Sequence, residues 1–230
     1  MAKTKSGATV QQPVPPSAGA AERLVAWIQA RKTALTVALV AVVLIGGSAW
    51  FLQAAKVRRE NFAANALDQA RVSVDAGNLE LAAADLGRIV SEYGGTTAGQ
   101  DARILLARVH LLQGNAELAV SELRTFLASG DTGPFRAAAN SLLANALEQL
   151  GRYDESADAF LAAADASEYD LIRAEFLMEA GRVAALAGDT ARAAAAYERI
   201  IAENPGTASE TEARLRLGEV LKGAIPKQPA

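Results

Sequence analysis

The stretch that decides the fold is residues 180–205, AGRVAALAGDTARAAAAYERIIAENP, in which two alanine-rich segments flank a Gly188-Asp189 pair. Alanine, leucine, arginine and glutamate are strong helix formers, and no glycine or proline interrupts 182–187 or 190–204. A glycine between two such segments ends the first helix in a left-handed cap, and the residues after it form the turn. The stretch therefore predicts two short helices joined by a tight turn.

The same pattern recurs along the chain. Its turn glycines, at a constant spacing of 37 residues, are Gly77, Gly114, Gly151 and Gly188. A small residue stands seven positions before and five positions after each glycine, and a large apolar residue stands nine positions after it. These three columns are Ala70, Ala107, Ala144 and Gly181; Ala82, Ala119, Ser156 and Ala193; and Leu86, Leu123, Phe160 and Tyr197. Because one helix pair cannot bury its apolar face alone, we expect the four units to stack into a solenoid.

These residues resemble tetratricopeptide repeats over residues 63–222. The fourth unit matches the family's small, turn, small, aromatic and terminal-proline positions at Gly181, Gly188-Asp189, Ala193, Tyr197 and Pro205. The first two units depart from the family pattern. Ser73 and His110 stand where the first helix usually has an aromatic residue, and Gly94 and Asp131 stand at the proline position.

The resemblance implies an all-α fold, a helix–turn–helix solenoid of four 37-residue repeats plus a capping helix. Residues 210–222 resemble a fifth first helix and would provide that C-terminal cap. The resemblance also implies that the first helices line a concave groove in which proteins or peptides bind.

Composition excludes several kinds of chemistry. The chain has no cysteine and a single histidine, His110, so it has no disulfide, no thiolate metal site and no multi-histidine site. Its net charge of −3 argues against general nucleic-acid binding, which needs a basic surface. The sequence contains no phosphate-binding glycine loop, nucleophile elbow or HExxH motif. We therefore expect a protein that is not an enzyme and uses no cofactor or metal, with His110 packed between helices.

A run without charged residues, 33–55, precedes the repeats. At a rise of 1.5 Å per residue, about 20 residues of helix span the 30 Å hydrocarbon core of a bilayer. Trp27 precedes the run and Trp50 lies near its end, where aromatic residues at a membrane interface are expected. We predict one transmembrane helix over 33–55. The alternatives are a buried core helix and a cleaved signal peptide, the latter with Gly47-x-Ala49 as its small-residue site.

Charge indicates the orientation in the membrane, and composition and the repeats indicate the domain boundaries. Residues 1–32 carry five basic residues against one acidic residue, which favours a cytoplasmic N-terminus. The first 20 residues are rich in proline, glycine, serine and threonine, so we expect them to be disordered. We divide the chain into this tail (1–20), a juxtamembrane segment (21–32), the transmembrane helix (33–55), the repeat domain (56–223) and a C-terminal tail (224–230).

The whole arrangement resembles the bacterial inner-membrane family of the ancillary SecYEG translocon subunit, whose repeat domain is grouped with that of the cell-division coordinator CpoB. This resemblance implies a single-pass inner-membrane protein with its C-terminal domain in the periplasm. Its implied partners are Sec translocon subunits or periplasmic chaperones. Two other functions stay open: an envelope organiser linked to cell division or cell-wall synthesis, and a regulatory subunit of a membrane enzyme.

One further column suggests a binding site. Its members, each one position after the first small column, are Arg71, Arg108, Asn145 and Arg182. In the resembled fold this position faces the groove, where arginines would offer paired donors to a carboxylate of a bound partner. The alternative is structural, with the arginines bonded to acidic neighbours such as Asp68 or Glu148.

Overall fold

The computed structural model of the chain describes Gly19, Trp27 and residues 31–130 and 132–222. The chain divides into two compact units, Met1–Lys56 and Val57–Ala230. The described residues form α-helices and one short 3₁₀ helix, Gly133–Phe135, and contain no β-strand. The α-helices with described bounds are α1 Lys32–Asp75, α2 Leu79–Tyr93, α3 Thr97–Leu112, α4 Ala116–Ala128, α5 Arg136–Gln149, α6 Tyr153–Ala166, α7 Asp170–Ala187, α8 Thr190–Glu203 and α9 Ala208–Leu221.

Helix α1 includes the charge-free run 33–55. Across the part of the chain that the structure describes, no helix is both long enough and apolar enough to cross a membrane. Several side chains of the run, those of residues 34, 35, 38–42 and 49, lie outside the described part. The transmembrane helix therefore stays a prediction. The predicted C-terminal tail, most of the predicted N-terminal tail and Asp131 also lie outside the described residues.

The four turns confirm the helix–turn–helix prediction. Each turn glycine has a positive φ, with values of 76° at Gly77, 78° at Gly114, 71° at Gly151 and 84° at Gly188. The amide N–H of the residue after each glycine donates to the carbonyl five residues earlier, as Asn115 does to His110 at 2.8 Å. This bond closes the last turn of the first helix and satisfies one of its free carbonyls.

The helices of each pair approach closely at the small columns, and every member of these columns is buried. Where the column holds serine, the Ser156 hydroxyl donates to the Ala144 carbonyl at 2.8 Å, so its polar atom is satisfied. The large column, from Leu86 to Tyr197, is buried as well. The 37-residue register read from the sequence is thus the packing register of the structure.

The pairs stack in chain order, and from α2 to α9 every helix packs against the next. Successive first helices also touch, α3 against α5 and α7 against α9, which places the first helices on the inner side of the stack. Helix α3 contributes to two apolar clusters. Its Leu106 and Val109 pack with the first repeat, and its Ile104 and Ala107 pack with the repeats that follow. The architecture is the predicted all-helical solenoid.

Candidate partner groove

The predicted binding column occupies one register position on successive first helices. Arg71 lies on α1, Arg108 on α3, Asn145 on α5 and Arg182 on α7. Arg71, Arg108 and Asn145 are exposed, and Arg182 is half-buried. Each follows a buried residue of the first small column, so backbone packing holds the position of all four.

The outer two members of the column are bound to carboxylates within the solenoid. Arg71 pairs with Asp101 at 2.6 Å and with Asp68 at 3.2 Å. Arg182 makes a two-pronged bond to Glu148, with nitrogen–oxygen distances of 2.8 and 2.7 Å, and also reaches Glu179. The bond to Glu148 raises the pKa of the Arg182 guanidinium against the effect of its burial. These two arginines join neighbouring helices, as the structural alternative expects.

The inner two members have no such partners. Within the described residues, the side chains of Arg108 and Asn145 make no hydrogen bond and no ion pair. Both line a cleft of about 950 Å³ between α3, α5 and the turn into α6. The remaining residues of the cleft wall are Leu111, Leu112, Leu142, Glu148, Gln149, Leu150, Gly151 and Tyr153.

The apolar part of this cleft was not identified from the sequence. Leu112 is 61% exposed and stands beside Leu111, and Leu142 faces them from α5. The sequence does contain one sign of it. Leu112 is apolar at a repeat position where the neighbouring repeats have the polar residues Asp75 and Gln149. The cleft thus combines an apolar wall with one guanidinium and one side-chain amide that are unpaired in the part of the chain that the structure describes. Such a surface can bind a segment that carries a carboxylate next to an apolar side chain.

His110 is on α3, and its side chain packs toward α4 and is only 12% exposed. Its Nε2 is 3.6 Å from Oε1 of Glu122, and its Nδ1 is 3.3 Å from Oε1 of Gln113. Burial raises the pKa of the Glu122 carboxyl, against the lowering effect of His110 and Arg103. His110 therefore has the helix-packing place that the sequence indicated. In the described residues no three acidic, histidine or cysteine side chains cluster as metal ligands would.

Several solved structures have a similar fold. A Podosopora anserina putative kinesin light chain with TPR-like repeats is 20% identical, with a TM-score of 0.55 over 69% of this chain and 84% of that one. The MamA protein is 18% identical, with a TM-score of 0.54 over 71% and 84% of the two chains. PilF of Pseudomonas aeruginosa is 21% identical, with a TM-score of 0.54 over 72% and 70%. At these identities the likeness establishes the fold.

No curated protein matches the sequence. A family model, described as a tetratricopeptide repeat-like domain, matches residues 26–222. The match includes all four helix–turn–helix units, the capping helix α9 and the charge-free run that precedes them. The chain therefore belongs to the tetratricopeptide repeat-like domain family.

Proposed function

We propose that the chain is a membrane-anchored scaffold that captures segments of other proteins in the cleft around Arg108 and Asn145. The observation that carries this proposal is the division of the polar column. The guanidinium groups of Arg71 and Arg182 are bonded to carboxylates of the solenoid, whereas the side chains of Arg108 and Asn145 line an open cleft and have no partner among the described residues.

The chemistry of the cleft defines the kind of segment. A guanidinium presents two parallel N–H groups to a carboxylate. A side-chain amide can donate to a backbone carbonyl and accept from a backbone N–H of an extended segment. Leu111, Leu112 and Leu142 provide apolar area next to these groups. The ligand we propose is a short segment with an acidic side chain or a C-terminal carboxylate flanked by an apolar residue.

The anchor is the second part of the proposal. Residues 33–55 contain no charged side chain, and the family match starts at residue 26, so the run and the repeats fall within one family model. The basic excess of residues 1–32 supports a cytoplasmic N-terminus and a periplasmic repeat domain. From this topology and the resemblance of the whole arrangement to the ancillary SecYEG translocon subunit, we propose a place beside the Sec translocon and its periplasmic chaperones. A cell-division organiser and a regulatory subunit are the competing functions.

Site-specific photocrosslinking in intact membranes tests the cleft and identifies the partner. A photoreactive residue at Leu112 should give a defined adduct, and the same residue at Glu198, exposed on α8, should not. Arg108→Ala in the Leu112 background should reduce the adduct about tenfold or more, because a hydrogen bond to a charged group contributes about 1.5–3 kcal/mol. An adduct that survives Arg108→Ala would contradict the proposed cleft.

The identity of the adduct separates the competing functions. A translocon subunit or a chaperone supports the leading proposal, and a division or cell-wall protein supports the organiser. Alkaline carbonate extraction and protease protection test the anchor and its orientation. Release of intact protein by carbonate would rule out the anchor, and a protected cytoplasmic C-terminus would favour the regulatory subunit.

A further inference from the structure

We propose that two copies of the chain associate through one face of helix α1, defined by Phe62, Asn65, Gln69 and Val72 and called here the α1 stripe. The helices would run parallel about a two-fold axis, so that each stripe residue meets the same residue of the other copy. This inference concerns the repeat domain alone and does not depend on the membrane anchor or the cleft around Arg108.

The 37-residue register shows what is unusual about the α1 stripe. In every later repeat the residues equivalent to Asn65, Gln69 and Val72 are buried or half-buried. They are Ala102, Leu106 and Val109 on α3; Ala139, Leu143 and Ala146 on α5; Phe176, Ala180 and Val183 on α7; and Ala213, Leu217 and Val220 on α9. The second helix of the preceding repeat packs against each of these first helices. Among the described residues, no helix occupies the equivalent place beside α1.

The α1 stripe is left open to its surroundings. Phe62 is 65% exposed and Val72 is 68% exposed. Asn65 and Gln69 are also exposed, and neither amide makes a hydrogen bond within the described residues. The stripe therefore holds two unburied apolar side chains that enclose two unpaired amides.

The spacing of the stripe suits a parallel helix pair. Its positions advance by three, four and three residues, which is the alternation that keeps one seam facing a partner helix in a coiled coil. A side-chain amide has both donors and an acceptor, so it can bond to a copy of itself across a two-fold axis. In the parallel arrangement Asn65 meets Asn65 and Gln69 meets Gln69. An antiparallel arrangement would place Phe62 opposite Val72 and Asn65 opposite Gln69, so the two arrangements differ in which residue lies opposite Asn65.

Charge also favours a second copy at this face. Residues 56–230 carry 18 basic and 25 acidic residues, a net charge of −7, so an uncharged face lets two copies approach with less repulsion than an acidic one would. The stripe is uncharged, and its rim on α2 holds one residue of each sign, Arg88 and Glu92. These two residues line a cavity of about 290 Å³ between α1 and α2, together with Phe62, Asn65, Ala66, Gln69, Ile89 and Tyr93. The cavity can receive part of the partner's Phe62 ring, which would bury the most exposed aromatic of the first repeat.

Cysteine crosslinking tests the pairing directly, because the chain has no native cysteine. Full-length Asn65→Cys in mild detergent should oxidise to a disulfide-linked dimer, since a disulfide requires Cβ atoms about 3.5–4.5 Å apart. Glu198→Cys, equally accessible but on α8, is the matched control and should stay monomeric.

A second variant separates association from folding. Phe62→Glu places a charge on the seam at an exposed position, so it should convert the dimer to monomer in light scattering and leave the helix content measured by circular dichroism unchanged. A wild-type chain that is monomeric would overturn the proposal. A dimer that Phe62→Glu leaves intact, or equal crosslinking of Asn65→Cys and Glu198→Cys, would overturn it as well.

Discussion

At the scale of single residues, Gly181 in the first small column shows how closely the helices approach. A Cβ atom at Gly181 would lie 2.5 Å from Cε1 and 2.6 Å from Cζ of the Tyr197 ring, which is closer than real contacts allow. Gly218 stands 37 residues later in the same column, and a Cβ atom there meets nothing within 4 Å. The same residue type is thus required by packing in α7 and not in α9.

Gly181→Ala should destabilise the protein by about 1–3 kcal/mol, because the Tyr197 ring is buried and must move to admit the methyl group. Gly218→Ala should instead stabilise it by roughly 0.5–1 kcal/mol, because alanine is the better helix former. Chemical denaturation of both full-length variants measures the difference. Equal effects of the two substitutions would contradict the close approach at Gly181.

Glu122 shows how burial couples the fold to pH. Burial raises the pKa of its carboxyl above the usual 4.5, although the charges of His110 and Arg103 lower it. The folded state therefore binds this proton more tightly than the unfolded chain does. The stability contributed by the protonated carboxyl is fully present below the unfolded-state pKa and is lost as the pH rises through the folded-state pKa.

Glu122→Gln, which mimics the protonated side chain, should accordingly raise the melting temperature at pH 8. The gain should shrink as the pH falls toward 4, where the wild-type carboxyl is itself protonated. Melting curves at several pH values test this, with the exposed Glu198→Gln expected to change stability by less than about 0.5 kcal/mol throughout. A lower melting temperature at pH 8 would mean that attraction to His110 and Arg103 exceeds the cost of burial.

At the scale of elements, α3 begins with help from the preceding repeat. The Glu60 carboxylate accepts the amide N–H groups of Thr97 at 2.9 Å and Ala98 at 2.8 Å, and the Thr96 hydroxyl accepts that of Gly99 at 3.0 Å. Three free donors of the first turn are thereby satisfied, two of them by a side chain 37 and 38 residues earlier. The negative charge of this carboxylate also interacts favourably with the positive, N-terminal end of the helix dipole.

Glu60→Ala should cost about 0.5–2 kcal/mol, the usual range for loss of an N-terminal cap. Glu80→Ala is the control, because Glu80 is an exposed acidic residue in the first turn of α2. It should change stability by less than about 0.5 kcal/mol. Denaturation of the two variants under the same conditions is the measurement, and a loss at Glu60 no larger than that at Glu80 would contradict the capping role.

At the scale of the whole molecule, the repeats hold together through neighbours. The third and fourth repeats share ion pairs at a constant separation of 34 residues, namely Glu148–Arg182, Asp158–Arg192 and Asp165–Arg199. Burial is also greatest in the middle of the stack. Helices α3, α5 and α7 each bury seven residues, whereas α9 buries only Ala213 and Val220. In a solenoid each unit is stabilised by its immediate neighbours, so the end helix has the least support.

Hydrogen exchange should therefore show a gradient along the repeat domain. Backbone amides of α5 and α7 should exchange most slowly, and those of α9 should exchange faster because α9 can open locally without unfolding its neighbours. Exchange followed by mass spectrometry on the full-length protein gives the rates peptide by peptide. Identical protection of α7 and α9 would contradict the gradient and would mean that the domain unfolds as one unit.

The sequence alone determined the period, the helix pairs and their turns. These follow from local rules that repeat every 37 residues: a glycine where φ must be positive, small residues where two backbones approach, and a large apolar residue to fill the space beside them. Each rule acts within one or two helices, so Gly188, Ala193 and Tyr197 carry enough information to place the pair that contains them.

Only the tertiary structure decided which polar residues are available for binding. Arg71, Arg108 and Arg182 hold the same register position, but Asp101 neutralises the first and Glu148 neutralises the third, each from a first helix 30 or 34 residues away. Whether such a carboxylate arrives depends on how successive helices pack and on the direction of each side chain, which the 37-residue period does not specify. The lack of a partner for the Arg108 side chain among the described residues and the exposure of Phe62 on α1 have the same cause, namely what the neighbouring unit places beside them. A repeat fixes each residue's position within its own unit, whereas what covers or pairs with that residue depends on the neighbouring unit.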